Sequence, residues 1–151
     1  MSISERINFI IRDYKLDDYD QVVALWEKTE MGGAFRGDNE KLINDTIAMG
    51  GKLLVMIETN KNIVIGTSWL TNDGRRIYLH HFGIIPEYQG RGLSKYLAKE
   101  SIQFAKGKGL QVKLEVHESN EAALKLYKGF GFKYLGDYDV YIIRDYTDIK
   151  L

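Results

Sequence analysis

Apolar positions change their period several times along the chain, and each change predicts a different element. Phe9, Ile10 and Ile11 form a bulky, partly β-branched run closed by Arg12 and Asp13, which predicts a first strand over residues 8–12. From Asp17 the spacing turns helical. Tyr19, Val22, Val23 and Trp26 recur at intervals of three and four, and Asp17 can cap a helix that reaches Lys28. A second helix is predicted over 39–49, where Leu42, Ile43, Thr46 and Ile47 share a face and Gly50-Gly51 stops the run. The stretch between them, Met31 to Asp38, reads as a flexible, exposed connection.

The next segments carry strand character. Residues 53–58 and 63–70 are two apolar runs joined at Thr59-Asn60-Lys61-Asn62, a hairpin pattern, and Asn72-Asp73-Gly74 turns the chain into a long strand over 75–85. After Pro86 the period is helical again from about Gly90 to Lys108, with Leu93, Leu97, Ile102 and Ala105 as core positions and Gly107 and Gly109 at its end. Val112, Leu114 and Val116 alternate with Lys113, Glu115 and His117, so residues 111–117 predict a strand with one buried face. A short helix over 120–128 gathers Ala123, Leu126 and Tyr127, and two last strands are expected over 132–135 and 140–144, joined around Gly136-Asp137. This order predicts one domain over 1–151, of the α/β class (α+β in some schemes), with a mixed, mostly antiparallel sheet flanked by helices.

Composition narrows the chemistry. The 151 residues suit one domain and contain no cysteine, which excludes a thiol nucleophile, a thiolate metal site and a disulfide framework. Lys and Arg total 21 and Asp and Glu total 21, a balance that argues against a nucleic-acid backbone or an anionic membrane as the main partner. The early Glu5 and the short apolar run at 9–11 do not make an export or spanning segment, so the cytoplasm is the expected location. Three histidines without metal-ligand spacing predict no catalytic metal.

The most informative stretch is Gly83-Ile84-Ile85-Pro86-Glu87-Tyr88-Gln89-Gly90-Arg91-Gly92-Leu93-Ser94. A strand ends at the single proline, and two glycines stand at the mouth of a long helix. Glycine there lets an anion approach unsatisfied backbone N–H groups, and Arg91 can add charge-assisted hydrogen bonds. The plain alternative is a tight turn. Neither familiar nucleotide loop fits, since no Lys-Ser or Lys-Thr pair follows a glycine loop and no G-x-G-x-x-G follows the first strand.

This stretch resembles the acetyl-CoA segment of the GCN5-related N-acetyltransferase (GNAT) superfamily: Gln or Arg, two variable residues, Gly, one variable residue, then Gly or Ala, after an aliphatic residue and often a proline. Here it stands as Gln89-Gly90-Arg91-Gly92-Leu93-Ser94 after Ile85-Pro86, with Ser94 as the departure. A second block, Leu114 to Phe132, resembles the later cofactor motif of the same family, in which a strand is followed by Asn, a helix with Ala and Leu-Tyr, and a Gly-Phe ending. The resemblance spans roughly Asn8 to Arg144.

The resemblance implies acetyl-CoA as cofactor, held by Gly83, Ile84, Ile85, Gln89, Gly90, Arg91, Gly92, Leu93, Ser94, Asn120, Ala123 and Tyr127. It implies transfer of acetyl to a primary amine of a small molecule or peptide N-terminus by direct attack, without an acyl-enzyme. Tyr127 is the implied acid for the departing thiolate, and His81, at the position where some arylalkylamine acetyltransferases carry histidine, is the chosen base or one end of a water relay. Each has a plainer reading: Asn120 as a helix cap, Tyr127 as a core aromatic, His81 as a packed strand histidine. His80 and His81 face opposite ways in a regular strand, and a bulge exchanges their roles. Tyr14, Phe35, Arg36, Asp38, Trp69, Tyr78, Asp137 and Asp139 are candidate acceptor-wall residues. The alternative function is a noncatalytic acyl-CoA-binding module, and a homodimer is the default assembly.

Overall fold

The apolar runs of the first half pair as a meander in the computed structural model, which describes residues 6–31, 37–147 and 149–151. Strands β1 (Phe9–Asp13), β2 (Lys52–Glu58), β3 (Ile63–Asn72) and β4 (Arg76–Ile84) are successively antiparallel, and β5 (Gln111–Leu114) joins β4 in parallel. The sheet order is β1-β2-β3-β4-β5. A helical connection from β1 to β2, two antiparallel hairpins and one helical crossover from β4 to β5 produce this order, because a parallel neighbour cannot be reached by a tight turn.

Helices α1 (Tyr19–Lys28) and α2 (Glu40–Ala48) lie between β1 and β2, and α3 (Leu93–Lys108) makes the crossover from β4 to β5. Three consecutive residues of β3 fix their sides. Trp26 of α1 donates its indole N–H to Thr67 at 2.9 Å, and Trp69 donates to Thr46 of α2 at 2.9 Å. Ser68, between them, bonds Ser101 of α3 at 2.7 Å. Alternate strand residues point to opposite faces, so α1 and α2 cover one face and α3 the other. Both faces being covered, Leu53 to Ile57 and Val64 to Leu70 include few surface positions, which explains continuous rather than alternating apolar runs. Glu58 is buried at the end of β2 because its carboxylate accepts the N–H groups of Asn60 at 3.1 Å and Lys61 at 2.7 Å, closing the hairpin turn.

Local chemistry sets the helix ends. Asn39 caps α2 by accepting the Leu42 N–H at 2.8 Å. The expected cap Asp17 does not act: Leu16–Asp18 form a single 3₁₀ turn, and Asp18 precedes α1, held by Arg12 and by the Lys15 N–H at 2.8 Å. The inward face of α2 is also narrower than its pattern suggests, with Ile43 buried but Leu42 and Ile47 38% and 36% exposed. Gly109, left-handed at φ 69°, ends α3. Among the described residues no helix is long and apolar enough to cross a membrane.

The sheet and these three helices form a compact unit, residues 1–117, and residues 118–151 form a second. The second unit contains α4 (Glu121–Gly129), capped by the Asn120 side chain, which accepts the Ala123 N–H at 3.2 Å. The strands expected over 132–135 and 140–144 are not formed. Tyr134, Tyr138 and Tyr141 are 91%, 82% and 89% exposed, and Gly136 and Asp137 turn the chain through left-handed backbone. Apolar alternation supplies strand preference, whereas a strand also needs a ladder partner for its N–H and C=O groups. Similarly, the strand expected over 111–117 stops at Leu114.

Candidate active site

The parallel ladder between β4 and β5 runs from Arg76 opposite Gln111 to Leu79 opposite Leu114 and ends there. Strand β4 continues for five more residues, His80 to Ile84, paired only to β3. On the β5 side this backbone has left the ladder.

In the same stretch β4 carries one extra residue. Trp69 lies opposite His80 and Thr67 opposite Gly83, so His81 and Phe82 together face Ser68. His81, one of these two residues, takes φ 44°, an uncommon left-handed conformation for a non-glycine residue. The strict alternation of buried and half-buried residues through Ile77, Tyr78 and Leu79 is lost from His80 to Gly83. The bulge anticipated as an alternative to a regular strand is therefore present, and both histidine rings meet Trp69, at 6.4 and 5.2 Å between centroids.

His81 is tightly specified. Its ring meets Trp26 edge to face at 4.6 Å and Trp69 at 5.2 Å, and these two indoles stack on each other at 5.3 Å. Its carbonyl accepts the Thr67 hydroxyl at 2.7 Å. Its Nε2 lies 2.7 Å from the Asp38 carboxylate, the two side chains being 16% and 12% exposed. The pairing joins residues 43 apart in sequence. Asp38 was anticipated as an acceptor-wall residue, but nothing local in the sequence marks it as the partner of His81.

His80 is differently placed. It bonds the Thr71 hydroxyl through Nε2 at 2.9 Å and stacks on Tyr78 at 5.6 Å. Burial, then the neighbouring His81, lowers its pKa below 6.5, with Asp38 opposing. Neutral imidazole is its resting form.

Beyond β4, Ile85 N–H returns to Ile65 O at 2.8 Å and Pro86–Tyr88 form one 3₁₀ turn. Gln89 secures the turn by donating its side-chain amide to Ile84 O at 2.8 Å. Gly90 and Gly92 are both left-handed at φ 76°, and a Cβ on either would meet nothing within 4 Å. Gly92 provides no side-chain cap for α3, whose first N–H groups open beside it. Left-handed glycines at an uncapped helix mouth form a concavity of backbone donors suited to phosphate. Arg91 lies over the Tyr88 ring at 5.4 Å, with Leu93 buried and Ser94 half-buried behind it.

A Cβ on Gly83 would lie 2.9 Å from Met31 Cε, the far end of a flexible side chain that can shift to admit it. Of the other anticipated wall residues, Trp69 is 4% exposed and belongs to the core, whereas Tyr78 is half-buried. The Tyr14 hydroxyl is buried with no hydrogen-bond partner among the described residues, and burial, then the charge of Glu40, pushes its pKa up to about 12. Phe35 and Arg36 lie outside the described residues. Within the second unit, Asp137 and Asp139 are exposed, Ala123 is half-buried and Tyr127 is buried with its ring 5.5 Å from Phe132. Burial raises the Tyr127 phenol to about 12.

The chain matches the acetyltransferase (GNAT) family over residues 19–132. Its fold is shared by an acetyltransferase from Streptococcus agalactiae, at 22% identity and TM-score 0.74 over 89% of this chain and 91% of that one. A GNAT-family acetyltransferase from Staphylococcus aureus gives 18% identity and TM-score 0.73 over 83% and 84%. The ribosomal-protein-S18-alanine N-acetyltransferase of Escherichia coli gives 20% and 0.69 over 83% and 78%.

Proposed function

The chain belongs to the GNAT acetyltransferase family, and from that premise we propose that it transfers acetyl from acetyl-CoA to a primary amine of a small molecule or peptide by direct attack. The observation that carries the reading is the adjacency, within one run of chain, of strand backbone released from the β5 ladder and an uncapped helix mouth with two open left-handed glycines. The first suits the amides of a pantetheine arm, the second suits a pyrophosphate, and acetyl-CoA presents both.

In this reading backbone groups of Gly83, Ile84 and Ile85 orient the arm and place fixed dipoles near the thioester carbonyl, where negative charge grows during attack. Gly90, Arg91, Gly92, Leu93 and Ser94 receive the phosphates. Gln89 acts indirectly, its amide being committed to Ile84 O. Asn120 and Ala123 contact the arm through the family motif, and Tyr127 returns a proton to the thiolate. His81 accepts the proton that the ammonium group must lose. The chain works as one catalytic domain in the cytoplasm.

The test is thiol release from acetyl-CoA with spermidine, tyramine and an alanine-terminated peptide as acceptors, subtracting hydrolysis. Amine-dependent thiol with matching acetylated product is expected. Stabilisation by CoA without turnover of any amine would turn the reading into that of a binding module.

A further inference from the structure

We propose that Asp38 is the positioning residue for His81, fixing the tautomer in which Nδ1, not Nε2, receives the proton of the acceptor amine. This rests on the reading of His81 as the base.

An ionised carboxylate can only accept hydrogen bonds, so a neutral His81 bonded to Asp38 through Nε2 carries its hydrogen there. The basic lone pair is then on Nδ1, which makes no hydrogen bond among the described residues. The ring cannot readily exchange its nitrogens, because Trp26 and Trp69 hold it edge-on and Thr67 holds its backbone at the bulge.

Among the described residues, Asp38 is the charged group shown against the His81 ring. From α1 the ring meets Trp26, and from β3 it meets Trp69 and Thr67, all uncharged. On β4 its titratable neighbour is His80, kept neutral by burial. Before α2 it meets the Asp38 carboxylate. When Nδ1 accepts a proton, the imidazolium is stabilised across 2.7 Å by the Asp38 carboxylate.

The reaction balances without another reagent. The ammonium group gives one proton to Nδ1, and the freed amine nitrogen forms the new C–N bond as the C–S bond breaks. Tyr127 gives its proton to the departing thiolate, the second amine proton restores the phenol, and His81 releases its proton to water. One proton is liberated per acetyl transferred.

Two measurements test the assignment. Long-range ¹H–¹⁵N NMR of the free protein reads the His81 tautomer, and steady-state kinetics across pH compare the parent with D38N, D38E and H81A, using the three acceptors above. The parent is expected to show Nε2–H. D38N is expected to show mixed tautomers, kcat lower by about 10²–10⁴, and an acid limb displaced to lower pH, with acetyl-CoA affinity preserved. D38E should recover part of the loss. An Nδ1–H tautomer in the parent overturns the proposal. So does a D38N enzyme with parental kcat and pH profile while H81A is impaired. Parental activity in H81A overturns the base reading itself, a separate failure.

Discussion

The Thr67 hydroxyl donates to the His81 carbonyl at 2.7 Å, at the point where β4 carries its extra residue. The same oxygen accepts the Trp26 indole N–H at 2.9 Å, so one fully buried hydroxyl ties α1, β3 and the bulge together. T67V keeps the shape but leaves a carbonyl and an indole N–H unpaired, and should cost about 2–4 kcal/mol in urea unfolding. T67S, which keeps the hydroxyl, should recover most of it. A valine variant as stable as the parent would show that the two bonds of this hydroxyl contribute nothing to stability.

Gly92 separates binding from folding. Its backbone is left-handed and a side chain would enter open space, so G92W should remain folded at a backbone cost of roughly 1–2 kcal/mol. A bulky side chain at the helix mouth obstructs phosphate, and CoA affinity should fall by about tenfold or more, equivalent to about 1.4 kcal/mol. Tryptophan at Gly107, near the other end of α3 and also facing open space, is the control. Calorimetric titration decides: equal CoA affinity in parent and G92W removes Gly92 from the phosphate site.

The Arg12–Asp18 pair predicts a pH dependence of stability. Its two guanidinium hydrogen bonds measure 2.7 and 2.9 Å. The bond from Arg12 is the main cause that lowers the Asp18 pKa below 3.8, with burial opposing. A carboxyl group with a depressed folded-state pKa contributes stability above its unfolded value, and that contribution is lost as pH falls through the folded value. D18N should therefore be less stable than the parent by about 1–2 kcal/mol near neutrality. The difference should shrink as pH drops below 3.8. Urea midpoints for both proteins over that range test the sign, and a gap that stays constant to low pH would assign the loss to geometry.

The elements legible in the sequence are those whose signal is local. Asn39 before the 3.6-residue period, Asn60 at a hairpin and Gly90-Arg91-Gly92 after Pro86 each state their geometry within a few residues, and the structure places elements there. What the sequence conceals depends on partners far along the chain. The ion pair of His81 spans 43 residues, and no local pattern announces it. The bulge arises because β4 has two residues against Ser68, a mismatch invisible until β3 and β4 are aligned. Val140 to Arg144 fail as a strand for the same reason, since alternation names a preference and not a neighbour.

The last prediction concerns the two groups assigned to proton transfer, whose pH signatures should differ. Burial raises the Tyr127 phenol to about 12, so it remains protonated, a donor and not a base, across roughly pH 6–10. Y127F keeps the ring and its packing against Phe132, and deletes only the hydroxyl. Acetyl-CoA affinity should be nearly unchanged, while single-turnover transfer slows by about 10²–10⁴, by a similar factor throughout that range. H81A should behave otherwise: an amine increasingly deprotonates itself as pH rises, so the need for a base fades and the defect should be largest at the low end. Single-turnover rates at saturating acetyl-CoA, for parent and both variants, read both slopes. Equal rates for Y127F and parent, with chemistry limiting, would remove Tyr127 from the acid role. A His81 defect constant across pH would mark it as a packing or amine-positioning group, because such a role does not weaken as the amine loses its proton.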